Sequence, residues 1–163
     1  MSLKLYMFPF STTSRPIRLF VAEKNLPVTE VVVDLFSGAH YQPDFTAINP
    51  NRRVPVLVED DFHLTEGSAI LKYLAAKYDA PEYPKDLKER ARVDSAMDWF
   101  NTGFYKDFGY GVIYPQVFPH EKRPTDEQQA GTIAWGKERS TIWLSVLNDS
   151  MLGSSDYVAN NRI

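Results

Sequence analysis

A chain of 163 residues with 44% apolar side chains can build one large domain or two small ones, and it is too apolar to be disordered. Its 18 basic and 21 acidic residues leave a net charge of −3, with no Lys/Arg run of five, which argues against nucleic acid as a partner. It contains no cysteine, so disulfides, thiolate zinc sites and an internal redox pair are excluded, and any thiol chemistry must use a thiol from outside.

Leu3 to Phe8 is a short β-rich run ended by Pro9. Ser11-Thr12-Thr13-Ser14 follows, a cluster suited to capping a helix that runs to about Asn25. Ile17, Phe20 and Val21 share one face of it. Val28 to Leu35 reads as a second strand, and Val31-Val32-Val33 suggests burial on both of its faces. Phe36 to Asn49 is a looser, partly helical connection stopped at Asn49-Pro50. Val54 to Glu59 and Phe62 to Leu64 are strands joined by the Asp60-Asp61 turn. Glu66 to Tyr78 is an amphipathic helix whose apolar face is Ile70, Leu71, Leu74, Ala75 and Tyr78. The order β-α-β-α-β-β-α implies an α/β domain with a mixed sheet.

Residues 80–86, with Pro81 and Pro84, read as a linker between a domain at 1–79 and a second at 87–163. No convincing strand occurs between Leu87 and Asn148, so the second domain is all-α. The Lys85 to Arg92 tract mixes charge signs and reads as a solvated helix face. A helix from Leu87 to roughly Phe108 weakens at Gly109 and Gly111. Tyr114 to Pro124 contains three prolines and is expected to be a loop. Thr125-Asp126-Glu127-Gln128 fits a capping box for a long helix ending near Asn148. No apolar run approaches the ~18 residues of a membrane span, and no secretory leader is legible, so the expected location is the cytoplasm.

Three segments carry the candidate chemistry. Ser11 to Arg15 lies between a strand and a helix N-terminus, where free N–H groups stabilise an anion. Taken alone, its hydroxyls are ordinary helix caps. In Arg52-Arg53-Val54-Pro55, a cis Val54-Pro55 bond would turn the chain and leave Val54's backbone groups free for a ligand. In Thr65-Glu66-Gly67-Ser68, Glu66 sits at a helix N-terminus, where a carboxylate is favourable whether or not it binds anything. His40, His63 and His120 are far apart and show no metal-ligand spacing, and Ser11 has no His and Asp near it in sequence, so no metal and no acyl-transfer triad is expected.

In their order and spacing, Ser11 with Arg15, Asn49-Pro50, Arg53-Val54-Pro55, Thr65-Glu66 and Ala69-Ile70 resemble the glutathione-binding domain of soluble glutathione transferases. Ser11-x-x-x-Arg15, Gly38-Ala39-His40 and Leu64 to Leu71 are most similar to the serine-type, theta-like classes, and Arg90 to Asp94 resembles the start of their helical domain. The resemblance implies a thioredoxin-like first domain and glutathione as co-substrate. It implies that Ser11 donates a hydrogen bond to glutathione's sulfur and stabilises the thiolate, the nucleophile that attacks an electrophilic small molecule. It places Val54 against the cysteinyl backbone, Arg53 and His40 near the glycyl carboxylate, and Glu66, Gly67 and Ser68 around the γ-glutamyl end. Phe8, Phe10, Phe104, Tyr105 and Phe108 are the candidates for the electrophile pocket. A homodimer working in detoxification is the family expectation.

Two departures stand out. The family usually has Ser where this chain has Gly67. Family members also continue into a further buried helix where this chain stops at Asn160 to Ile163, so the helical domain is expected to be C-terminally incomplete. A non-catalytic glutathione-binding or protein-interaction module with the same fold is therefore the alternative. A glutaredoxin-like thiol exchanger would need a protein cysteine, which is absent.

Overall fold

The computed structural model describes residues 3–160. Asn161 to Ile163, where a further helix of the family is expected to begin, lie outside the described residues. The chain divides into two compact units after Asp79.

In the first unit, β1 (Leu3–Met7) leads into α1 (Arg15–Glu23), and β2 (Val28–Val32) follows. A 3₁₀ turn (Ala39–Tyr41) and the short α2 (Pro43–Thr46) precede β3 (Val56–Glu59), β4 (Phe62–Leu64) and α3 (Gly67–Lys77). The sheet order is β2-β1-β3-β4. β1 runs parallel to β2, with Leu3 opposite Val28, and antiparallel to β3, with Leu3 opposite Glu59. This is the mixed sheet that the order of elements implies. Asp60 turns the β3–β4 hairpin at φ 54°, a conformation that a short polar side chain tolerates.

Period-2 alternation sends Leu3, Leu5 and Met7 of β1 to one face, where Ile17 and Val21 of α1 and Ile70 and Leu74 of α3 close over them. Each such side chain contributes about 1.5–3 kcal/mol on burial. The opposite face carries a second cluster of Phe8, Val33, Phe45, Val54 and Val56. The strand covered on both faces is therefore β3, where Val56 and Leu57 are both fully buried but belong to different clusters. The run Val31 to Val33 is not covered in that way: Val32 is 58% exposed. The reason is position, since β2 is a sheet edge paired only with β1.

At the far end of β3, the Glu59 carboxylate accepts from Lys77 Nζ at 2.6 Å and from the Tyr73 hydroxyl. The hydrogen bond from Lys77, then that from Tyr73, holds the Glu59 carboxyl below its ordinary value of 4.5. The same contacts raise Lys77 and Tyr73 above their ordinary 10.5 and 10.0. A lowered carboxyl contributes stability above its ordinary value and loses it as pH falls through the lowered one. The raised groups contribute below their ordinary values and lose it on the alkaline side. Glu59→Gln is thus expected to flatten the fall of melting temperature with pH below 4.5. An unchanged acid limb would remove this cluster from the acid response.

The second unit begins with α4 (Leu87–Asp98), capped by Asp86, whose carboxylate accepts from the N–H groups of Lys88 and Glu89, both at 3.0 Å. Trp99–Phe104 and Lys106–Ile113 continue as wider turns with bonds spaced five residues apart. Next come the single turn α5 (Tyr114–Val117), a 3₁₀ turn (Pro119–Glu121) and the long α6 (Asp126–Val146). The expected loop from Tyr114 onwards is thus partly helical. Pro115 and Pro119 stand in first turns, where a missing N–H costs nothing. Thr125 Oγ1 caps α6 by accepting from Gln128 N–H at 3.2 Å. Gly111 and Gly136 let the 106–113 segment and α6 meet backbone to backbone. Beside that crossing the buried Asp107 accepts from Trp143 Nε1 at 2.8 Å and Arg139 Nε at 3.3 Å. No described residue of this unit is in a strand, and no helix among the described residues is long and apolar enough to cross a membrane.

Candidate active site around Ser11

The loop from β1 to α1 is closed by backbone bonds from Ser11 N to Phe8 O (3.0 Å) and from Arg15 N to Ser11 O (3.1 Å). Ser11 Oγ accepts from Ser14 N–H at 3.2 Å. Together these give Ser11 the pattern of an N-cap one turn ahead of α1. Ser14, the residue directly before α1, makes no side-chain cap, and its Oγ is fully buried without a hydrogen-bond partner.

Ser11 Oγ lies 2.9 Å from Thr13 Oγ1, and Thr13 Oγ1 donates to the Val54 carbonyl at 3.1 Å. A hydroxyl chain thus ties the first loop to the segment before β3. The Val54-Pro55 bond is cis. The Val54 carbonyl is not open as the sequence suggests, because Thr13 faces it and occupies one of its two lone pairs. Asn49 braces this segment from below. It is 2% exposed, its Nδ2 donates to Arg53 O at 2.8 Å and its Oδ1 accepts from Asn51 N–H at 3.0 Å. In the sequence Asn49 reads as the stop of a connection and, with Pro50, as part of the family pattern, but with no contact assigned to it, and Thr13 reads only as a cap. Thr13's partner lies 41 residues away, beyond the reach of local patterning, and Asn49's role depends on a burial that its local sequence does not announce.

Glu66, exposed at the start of α3, holds φ 67° and ψ 116°. A non-glycine residue there carries strain of order 1–3 kcal/mol, a feature that clusters at functional sites. A Cβ added to Gly67 would meet the Thr13 carbonyl at 3.6 Å and Ile17 Cδ1 at 3.8 Å, both ordinary contacts. So Ser11, Thr13, Val54 and Gly67 are brought together directly, with Glu66 and Ser68 on either side of Gly67. Arg53 is exposed beside Val54. His40 stands on a separate turn entered through Gly38 at φ 76°, and its ring lies 3.9 Å from that of Tyr41.

The aromatic candidates are described unit by unit. In the first, Phe8 is buried in the core and meets Phe10 edge-on at 5.6 Å, while Phe10 is 76% exposed. In the second, Phe104 stacks on Phe108 at 5.2 Å and the Tyr105 hydroxyl bonds that of Tyr114. Among the described residues no group of His, Asp and Glu is arranged to hold a metal ion.

The arrangement offers a hydroxyl at the start of a helix, backbone groups beside it and charges of both signs on neighbouring segments. That suits a small zwitterionic peptide with charged ends and a thiol between them. The family described as glutathione S-transferase, N-terminal domain, matches residues 1–76. Mouse glutathione S-transferase theta-1 is 36% identical over 169 residues, covering 100% of this chain and 68% of that protein. Mouse theta-3 is 40% identical over 167 residues with the same coverage. The solved apo form of human glutathione S-transferase T1-1 superposes with a TM-score of 0.83 at 33% identity, over 99% of this chain and 68% of that one. Human theta-2 in complex with glutathione gives 0.84 at 30% identity, over 99% and 66%. On the sequence likeness over its full length and on the fold, the chain belongs to the theta class of the glutathione S-transferase family.

Proposed function

We propose that this glutathione transferase activates its co-substrate with Ser11, whose hydroxyl donates to the glutathione sulfur and holds it as a thiolate. The observation that supports this most is the Ser14 N–H bonded to Ser11 Oγ. It takes a lone pair, polarises the hydroxyl and leaves its proton for an acceptor. The thiolate attacks an electrophilic carbon. A C–S bond forms, and either a leaving group departs with its electron pair or a double bond takes up the charge and then a proton.

Val54 pairs with the cysteinyl backbone through its carbonyl, which Thr13 holds in the free protein. Arg53 and His40 serve the glycyl carboxylate. Glu66 takes the γ-glutamyl ammonium, with Gly67 N–H and Ser68 at the adjoining carboxylate. The exposed ring of Phe10 supports an apolar electrophile on the first unit, with Phe104, Tyr105 and Phe108 the candidates on the second. A cytoplasmic homodimer is the assembly carried over from the family. Light scattering should then read twice the 18.7 kDa of one chain.

Gly67 favours a second reading, a glutathione-binding module without catalysis, because it lacks the hydroxyl usual there. The space around it accepts a side chain. Gly67→Ser is therefore expected to tighten glutathione binding roughly three- to tenfold, the yield of one added hydrogen bond. Titration calorimetry reads this directly, and an unchanged Kd would show that the position makes no contact with the peptide.

The two readings separate in an ultraviolet pH titration of bound glutathione. Under the first, the thiol ionises well below its free value of about 8.5 and Ser11→Ala reverses the shift. Under the second, glutathione binds with an unshifted thiol.

A further inference from the structure

Thr13 has one hydroxyl proton, and the structure spends it on the Val54 carbonyl at 3.1 Å. In the 2.9 Å contact between Thr13 Oγ1 and Ser11 Oγ, the donor must then be Ser11. Before substrate arrives, the Ser11 proton points along the protein, at Thr13. Ser11 Oγ accepts from Ser14 N–H, which leaves it a second lone pair.

We propose that Thr13 is a positioning residue whose hydroxyl turns from the Val54 carbonyl to Ser11 Oγ when Ser11 turns its proton to a thiolate. This rests on the reading of Ser11 given above. Each rotation keeps every hydroxyl proton donated. With the sulfur in place, Ser11 donates to it and accepts from both Ser14 N–H and Thr13 O–H. Two donors into one oxygen make that oxygen's own proton a stronger donor. The Val54 carbonyl, released by Thr13, is open to an N–H of the bound peptide. Seating of the peptide backbone and ionisation of its thiol are thereby linked through one side chain. Both partners lie within hydrogen-bond distance of one Thr13 Oγ1 position, so only the hydroxyl proton has to swing.

The test compares the full chain with Thr13→Val, which keeps the shape and removes the hydroxyl, Thr13→Ser, which restores it, and Ser11→Ala. Thr13→Ala serves in place of Thr13→Val if that variant does not fold. The readout is the ultraviolet titration of the bound glutathione thiol, together with its Kd. Thr13→Val is expected to raise the thiol pKa and lower the thiolate fraction at pH 7 roughly three- to tenfold, with the deficit closing at alkaline pH. Thr13→Ser is expected to return the parent titration. A loss that is equal at every pH, or a Thr13→Val titration identical to the parent while Ser11→Ala shifts it, overturns the role of Thr13 alone. A Ser11→Ala titration identical to the parent overturns the reading of Ser11 and this inference with it.

Discussion

Gly136→Ala is expected to lower the melting temperature of the helical unit by roughly 10–20 °C, while Gly131→Ala, five residues earlier on the same helix, raises it by a few degrees. Both replacements gain about 1 kcal/mol of helix propensity. They differ in what the new methyl group meets. At Gly131 nothing lies within 4 Å. At Gly136 the methyl would stand 2.5 Å from the Gly111 carbonyl carbon and 2.7 Å from its oxygen. Those are backbone atoms of the facing segment and cannot rotate away, so α6 and the 106–113 segment must separate. Overpacking of this kind costs about 1–3 kcal/mol in ordinary cores and more where backbone is the obstacle. Separation also pulls Trp143 Nε1 from the buried Asp107 carboxylate, an added loss of about 1–3 kcal/mol. Circular dichroism melts of the two variants side by side decide the matter. A destabilised Gly131→Ala, or a neutral Gly136→Ala, would show that the crossing is not the limiting contact.

The first unit was legible in the sequence because its signals are local. The β-rich run from Leu3 to Phe8, the face of Ile70 and Leu74 and the Asp60-Asp61 turn are each set within a dozen residues. The burial of β2 was not legible, because a valine run reads the same in an edge strand as in a central one. Only the pairing order shows that β2 is an edge while β3, between β1 and β4, is interior. In the second unit the proline-rich stretch from Tyr114 onwards misled for a related reason. Proline interrupts a helix interior but suits a first turn, and which of the two applies depends on where the preceding turn ends. The Gly111–Gly136 crossing joins two glycines 25 residues apart whose local sequences announce nothing beyond weak helix.

The site follows the same division. Ser11, Val54 and Glu66 stood out because each sits at a junction between elements, where chain ends leave backbone groups open. The links that organise them did not. Thr13 to Val54 spans 41 residues, and the Asn49 brace under Arg53 needs a buried amide that no polar pattern foretells. The junction marks Glu66 in the sequence, yet its positive φ is what distinguishes it from an ordinary first-turn carboxylate. The structure also merges two readings that the sequence kept apart at Ser11. The oxygen that caps the turn into α1 is the same oxygen proposed to face the thiolate.

That double duty shapes the expected result for Ser11→Ala. Losing the cap costs about 1 kcal/mol of stability, enough to lower the melting temperature of the first unit by several degrees. Losing the donor costs the thiolate one charge-assisted hydrogen bond, roughly 1.5–3 kcal/mol, or one to two units of thiol pKa. At pH 7 the thiolate fraction, and with it the conjugation rate, should fall roughly 5- to 20-fold, because a thiol near its free value of about 8.5 is still a few per cent ionised there. The N-terminus of α1 remains and contributes about 0.3–1 kcal/mol to an anion, so some depression of the thiol survives. Glutathione affinity should change far less than the rate, since the charged ends of the peptide are assigned to Arg53, His40 and Glu66, which the substitution does not touch. A purely structural role for Ser11 would produce the reverse: a lower melting temperature, weaker binding and a thiol that titrates as in the parent. Ser11→Asn distinguishes the two once more. Asparagine is a good N-cap, so it should restore the melting temperature, while its longer, differently placed amide leaves the thiolate without the hydroxyl. Stability recovered without thiol ionisation would assign the catalytic part of the effect to the Ser11 proton itself.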